Sequence, residues 1–158
     1  MLTVSSPPAT RRAVERLCRA CRVRALYSFG SRERQAWRLL AGGRARGASD
    51  LDLAVRWLPS DDEDLFKRRG RLEDGLWKRL RGVQLDLVEI DDAGTFLAAA
   101  ALRGERLYAA DDREADAHEE LVWAMAADLA PIERWRQGEE IRLVFEAAAR
   151  AEAARVRD

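Results

Sequence analysis

Short apolar stretches separated by turn residues predict a small β-sheet in this chain. Residues 23–29 form the first such stretch and end at Gly30, and residues 51–57 form the second and end before Pro59. Residues 83–90 form a third, strongly apolar stretch, and residues 106–109 predict a short edge strand. We therefore expect three main strands and one edge strand.

Segments with apolar residues three and four positions apart lie between these strands and predict helices. They cover residues 11–21, 60–81 and 91–101, and a last helical segment begins at residue 111 and is expected to be interrupted at Pro131. Strands separated by helices are typical of an α/β or an α+β domain. We expect residues 1–110 to form the core and residues 111–158 a helical C-terminal arm within a single domain.

Composition narrows the function classes. The chain has 158 residues, 47% hydrophobic and 35% charged, which is typical of a folded globular domain rather than a disordered segment. Basic and acidic residues both number 28, so the zero net charge argues against a long nucleic acid partner. No apolar run approaches the roughly 18 residues of a membrane span. We expect a cytoplasmic protein without a membrane partner.

Two cysteines, Cys18 and Cys21, form a C-x-x-C pattern inside the first predicted helix. A zinc site needs about four ligands, and His118 is the only histidine of the chain. We therefore expect two small side chains on a buried helix face, with a redox pair as the alternative.

Acidic residues interrupt two of the predicted strands. Asp50 and Asp52 point to the same face of a strand, about 6.5–7 Å apart, and their carboxylates repel each other. A divalent cation removes this repulsion, and Mg²⁺ prefers carboxylates together with substrate phosphates. If the strand that carries Asp86 lies beside them, three carboxylates can hold two metal ions, and one can accept the proton of a nucleophile.

Gly30 and Ser31 lie where a strand ends and a helix can begin. Glycine permits close approach of a phosphate to the backbone, helix N-terminal amides attract anions, and the serine hydroxyl adds a donor. The pair therefore indicates a phosphate-binding turn when it is combined with the three aspartates.

The order Gly30-Ser31, then Ser49-Asp50-Leu51-Asp52, then Asp86 resembles the minimal nucleotidyltransferases of the DNA polymerase beta-like superfamily. The resemblance implies an α+β fold with a small mixed β-sheet and flanking helices. It implies that Gly30, Ser31, Arg34 and Ser49 bind the nucleotide. It also implies that Asp50, Asp52 and Asp86 hold two Mg²⁺ ions and act in catalysis, with ATP as substrate.

Residues 32–49 separate Ser31 from Asp50, which is longer than the family's usual spacing. Glycines at 42, 43 and 47 flank Arg44 and Arg46 in this segment. One hypothesis is a lid that closes over the triphosphate, and the alternative is a passive insertion.

The C-terminal arm resembles that of the small antitoxin-type members, which pair with a HEPN ribonuclease toxin. Two apolar sets lie at helical spacing in it: Leu121, Met125, Leu129, Ile132 and Trp135, then Ile141, Val144, Phe145 and Ala148. One set can cover the sheet and the other a partner. The resemblance implies an antitoxin that transfers AMP from ATP to a tyrosine hydroxyl of the toxin, in a homo- or hetero-oligomer. The alternatives are transfer to a small molecule of the aminoglycoside type and a catalytically silent antitoxin.

Overall fold

The computed structural model describes residues 8–45, 47, 50–60 and 64–155 of the chain. Strands and helices alternate along this part of the chain. The strands are β1 (Val23–Phe29), β2 (Leu51–Trp57), β3 (Leu85–Glu89) and β4 (Glu105–Ala109). The helices are α1 (Pro8–Ala20), α2 (Ala36–Leu40), α3 (Leu65–Trp77), α4 (Thr95–Leu102) and α5 (Asp112–Arg155). A 3₁₀ turn, Gly30–Gln35, joins β1 to α2, and a second, Ile90–Asp92, follows β3.

The strands form one mixed sheet in the order β3-β2-β1-β4. Strand β1 is antiparallel to both of its neighbours, whereas β2 and β3 are parallel. The parallel pair is possible because α3 carries the chain back across the sheet between them. This architecture confirms the α+β fold with a small mixed sheet, and β1 and β2 have the bounds that the sequence predicts.

The remaining boundaries differ from the predicted ones for local reasons. Helix α3 begins at Leu65 because the Asp64 side chain caps it, accepting a hydrogen bond of 2.9 Å from the backbone N–H of Phe66. Helix α2 was not predicted, since it has only five residues and lies within residues 32–49, which were predicted to form a loop. Strand β3 is shorter than predicted because Ile90 already belongs to the second 3₁₀ turn.

The main apolar core lies between one face of the sheet and helices α1, α2 and α3. Its side chains include Leu26, Leu53 and Val55 from the strands and Leu72 and Leu76 from α3, all fully buried. Helix α1 contributes Val14 and Cys18 to the same cluster, and Cys21, which lies just after the end of α1 rather than inside it, joins them. Both cysteines are buried, and burial raises the pKa of the Cys18 thiol, as expected for structural rather than reactive cysteines.

Ion pairs fix the first turns of α5 over the opposite face of the sheet. Arg24 of β1 and Arg56 of β2 both donate to Glu114, at 2.9 and 3.0 Å. Arg106 of β4 donates to Glu119 at 3.0 Å, and Tyr27 of β1 donates to the same carboxylate at 2.9 Å. Three strands are thus linked to one helix through carboxylates that are partly shielded from water, where such contacts are stronger than at an open surface.

The chain forms two compact units, and the division falls within α5. The first unit ends at Val122, and the second begins at Trp123. The first unit therefore includes the start of α5, which lies beyond the predicted boundary at residue 110. Pro131 does not interrupt the helix, contrary to expectation. A proline removes one helical hydrogen bond, and here the helix continues without it.

The second unit is a helical segment with apolar side chains exposed to solvent. Trp135, Ile132 and Phe145 expose 69%, 64% and 71% of their surface. Arg136 and Arg142 instead form ion pairs within the helix, for example between Arg142 and Glu146 at 2.8 Å. No helix in the described part of the chain combines the length and the apolarity that crossing a membrane requires.

Candidate functional site

The three predicted aspartates come together at one end of the sheet. Asp52 of β2 lies directly opposite Asp86 of β3 in the parallel register, and neighbouring strands are about 4.8 Å apart. Asp50 lies directly before β2, and its charge is near enough to act on Asp52. Asp52 is half-buried, whereas Asp50 and Asp86 are exposed. The parallel pairing of β2 and β3 thus brings two distant sequence motifs together.

Electrostatics show that these carboxylates affect one another. Burial raises the pKa of Asp52 above its ordinary value, and the negative charges of Asp86 and Asp50 raise it further. Among the described residues, none of the three carboxylates forms an ion pair with an arginine or a lysine, although arginines are frequent in the chain. The site therefore concentrates negative charge that no described cation of the protein neutralises.

The donor set fits a hard divalent cation. Carboxylate oxygens are the ligands that Mg²⁺ prefers, and a bound cation would relieve the repulsion that, in addition to burial, raises the pKa of Asp52. Within the described residues, no group of three acidic, cysteine or histidine side chains is already closed around a metal position. Since Asp50 and Asp86 are exposed, their side chains have room to turn towards an ion.

Gly30 lies against the carboxylate of Asp52. Its φ of +74° is in the left-handed region, which favours glycine, and a Cβ at this position would lie 2.5 Å from Asp52 Oδ2. The contact follows from the sheet, because Phe29 at the end of β1 pairs with Asp52. The predicted Gly30-Ser31 turn thus begins beside the predicted metal-binding carboxylates.

The chain turns after Gly30 through the 3₁₀ turn rather than directly into an α-helix. The fully buried Ser28 stabilises this turn, since its hydroxyl donates to the backbone oxygen of Glu33 at 3.0 Å. Ser31 is exposed, so its hydroxyl is accessible to a ligand. Gly104 packs closely against the strand just before the turn, since a Cβ at position 104 would lie only 1.9 Å from the backbone oxygen of Ser28.

The arginines that follow Ser31 have different environments. The side chain of Arg34, the predicted phosphate ligand, is 81% exposed, and it forms only a long ion pair of 3.9 Å with Glu33. Arg34 is therefore accessible, and its role stays a prediction. Arg32 is buried and donates to the backbone oxygen of Gly47. Ser49, the other predicted nucleotide ligand, lies outside the described residues.

The long segment before β2 is partly folded into the core. Trp37 and Leu39 of α2 are buried, so the first part of this segment contributes to the fold. Arg38 of α2 donates to the backbone oxygen of Arg44 at 3.0 Å, and Arg44 forms an isolated β-bridge with Arg81. Arg46 lies outside the described residues. The lid hypothesis is thereby restricted to the residues after 45 and stays a prediction.

A polar cluster lies next to the aspartates on the same face of the sheet. Tyr27 is two residues before Phe29, and burial and its hydrogen bond to Glu119 raise its pKa. Arg106 is neutralised by Asp112, Asp116 and Glu119. This arginine therefore serves the docking of α5, because its charge is already balanced.

Sequence reasoning missed Ser28, Arg32 and Gly104. Ser28 bonds to the Gly30–Gln35 turn, Gly104 packs against the strand just before it, and Arg32 joins the turn to Gly47. The arginine next to Ser31 was visible in the sequence, but nothing local distinguished it from Arg34.

Comparisons with known proteins bear on the fold. No protein-family profile and no curated protein matches the chain. Among solved structures, a chain of a mutant MntA–HpeT toxin–antitoxin complex has a TM-score of 0.54 at 20% identity, covering 77% of this chain and 93% of that chain. A toxin–antitoxin structure with AMP-PNP has a TM-score of 0.53 at 20% identity, covering 77% of this chain and 94% of that chain.

A third structure holds tri-AMPylated Shewanella oneidensis HEPN toxin in complex with MNT antitoxin. It has a TM-score of 0.50 at 19% identity, covering 78% of this chain and 92% of that chain. The three likenesses show that this chain has the fold found in those complexes, and they confirm the fold that the resemblance implied.

Proposed function

Because this chain has the fold found in HEPN toxin–MNT antitoxin complexes, we propose that it is a minimal nucleotidyltransferase that acts as an antitoxin. It transfers AMP from ATP to a hydroxyl of a HEPN-domain toxin in a magnesium-dependent reaction. The observation that carries this proposal is the pairing of Asp52 with Asp86, with Asp50 beside them and the Gly30-Ser31 turn in contact. The cytoplasmic location expected from the sequence belongs to the same proposal.

The residues of the site divide the chemistry between them. Asp50, Asp52 and Asp86 would hold magnesium, which supplies positive charge to the triphosphate when bound. The amides and hydroxyl of the Gly30-Ser31 turn bind phosphate oxygens and orient the nucleotide. AMP-PNP in a neighbouring structure supports ATP as the nucleotide.

Transfer requires a nucleophile and a base. The acceptor hydroxyl oxygen forms a bond to the α-phosphorus, the bond from that phosphorus to the bridging oxygen breaks, and pyrophosphate leaves. Asp86 accepts the hydroxyl proton, since it is exposed to an incoming acceptor and lies beside Asp52. A tri-AMPylated HEPN toxin in a neighbouring complex supports a protein hydroxyl as the acceptor.

The second unit supports a protein partner. At about 100° per residue, Met125, Ile132 and Trp135 lie on one face of the helix and Val144 and Phe145 on the other, roughly half a turn away. These side chains are exposed by 46% to 71% of their surface. Burial of such surface is the main driving force of association. A toxin that covers both sets contacts this helix from two sides.

The test is transfer of AMP to the partner. Purified chain, ATP and Mg²⁺ are incubated with the HEPN-type protein encoded by the adjacent gene, and the partner's intact mass is measured. We expect the mass of one or more AMP groups, released pyrophosphate and no modification by Asp50→Asn or Asp52→Asn. Asp74→Asn is the matched control, because Asp74 is an exposed acid on α3 that pairs with Lys78.

Two outcomes would contradict parts of the proposal. A partner that is neutralised without any gain in mass would leave only the silent-antitoxin alternative. Modification of an aminoglycoside-type small molecule, with the protein partner unmodified, would favour the small-molecule alternative.

A further inference from the structure

We infer that Arg32 is a positioning residue of the nucleotide site, which it serves by linking the phosphate-binding turn to the segment that leads into β2. This inference rests on the proposed function, since it assigns a role within the same site. Arg32 is the residue after Ser31 and belongs to the Gly30–Gln35 turn. The resemblance to known nucleotidyltransferases assigned it no role.

Burial distinguishes Arg32 from an ordinary surface arginine. Only 3% of its surface is exposed, and its Nη2 donates to the backbone oxygen of Gly47 at 3.1 Å. Burying a guanidinium is costly unless hydrogen bonds compensate it. An apolar side chain would fill the same space without the free-energy cost of burying a guanidinium. The arginine at this position therefore has a specific geometric role.

The location of Gly47 indicates what that role is. Gly47 comes three residues before Asp50, and its φ of +86° turns the chain there. Contacts between described residues thus link the segment that contains Ser31 to the segment that leads to Asp52. Gly30 contacts Asp52 at the end of the strands, and Arg32 bonds to Gly47 beyond it. These contacts set the separation between the phosphate-binding backbone and the carboxylates.

Arg32 acts through its neighbours rather than on the nucleotide. Its guanidinium is directed to a backbone oxygen and is shielded from solvent, whereas Arg34 is open to solvent. Loss of Arg32 shifts the turn relative to the aspartates. A displacement of about 1 Å can reduce a rate by roughly 100-fold. Binding of Mg²⁺-ATP tolerates the same shift better, because binding does not demand in-line alignment.

Arg68 offers a matched control within the same chain. It is also 3% exposed and donates to backbone oxygens, at 2.7 Å to Arg22 and 2.8 Å to Leu58. These contacts lie at the opposite end of the β1–β2 pair from the aspartates. A substitution of Arg68 therefore removes an equally buried arginine without touching the site.

The experiment compares Arg32→Gln with Arg68→Gln in the full chain. Thermal unfolding measures stability, calorimetry measures the affinity for Mg²⁺-ATP, and single-turnover kinetics measure AMP transfer to the HEPN-type partner. We expect both variants to unfold at a lower temperature than the parent. Only Arg32→Gln should lose transfer, by about 10–100-fold, while its affinity for Mg²⁺-ATP changes by less than the rate.

Arg32→Lys covers the case in which Arg32→Gln does not fold, because lysine keeps the charge but lacks the planar fork. If both Arg32 variants fold, we expect the transfer rate of Arg32→Lys to lie between that of the parent and that of Arg32→Gln. If only Arg32→Lys folds, we expect its transfer rate to be lower than that of the parent. Equal transfer by the Arg32 and Arg68 variants overturns the inference, and so does a loss of affinity as large as the loss of rate. A parent chain that neither binds Mg²⁺-ATP nor transfers AMP overturns the proposed function itself, and this inference with it.

Discussion

Replacing Gly30 with alanine tests the contact between the proposed phosphate-binding turn and the carboxylates proposed to bind metal. The residue has φ +74°, and an L-residue there costs about 1–2 kcal/mol. This corresponds to a fall of about 2–8 °C in the unfolding temperature of a domain of this size. The new Cβ would also lie 2.5 Å from Asp52 Oδ2, whereas ordinary contact begins at 3.4 Å.

The carboxylate must therefore move by roughly 1 Å, enough to cost about 100-fold in rate. Since a side chain can retreat more easily than a backbone, this movement affects the site more than the fold. We expect Gly30→Ala to remain folded, to bind Mg²⁺-ATP more weakly and to transfer AMP about 100-fold more slowly. Calorimetry and single-turnover kinetics measure the two effects.

Gly82→Ala is the control, since Gly82 has φ +70° and no atom within 4 Å of a Cβ. It carries the same backbone cost without the contact to a carboxylate. We expect it to lose similar stability and to keep normal transfer. If the two alanine variants transfer AMP at the same rate, the contact between Gly30 and Asp52 has no functional role and the reasoning is wrong.

Two further predictions concern charge. Because the pKa of Asp52 is raised in the folded chain, the folded state binds that proton more tightly, and stability falls as pH rises through this pKa. Asp52→Asn should abolish this fall in stability and raise the unfolding temperature at pH 7 in EDTA. An unfolding temperature equal to or lower than that of the parent would refute this prediction. Arg56→Met should cost about 1–2 kcal/mol by urea denaturation and speed amide exchange near Glu114, because it removes the bonds to Glu114 and Asp91. Normal exchange there would show that the bond from Arg24 is sufficient to hold Glu114 without Arg56.

Much of this candidate site can be predicted from a single sequence, because its motifs depend on local patterns of residues. The bounds of β1 and β2 follow from side chains within seven residues, and the structure has the predicted ones. Gly30-Ser31 at a strand end and Asp50 and Asp52 on one face are also local patterns, since the periodicity of a strand fixes them. A phosphate-binding turn and a magnesium site could therefore be predicted before the fold was known.

Only the tertiary structure decided how these pieces meet. The parallel register that sets Asp86 against Asp52 depends on the path of α3, and the approach of Gly30 to Asp52 depends on the pairing of β1 with β2. No pattern near Arg32 predicts its burial, because its partner Gly47 is fifteen residues away. Local sequence specifies which chemical groups a segment carries, whereas burial and register arise from packing between segments that are distant in the chain.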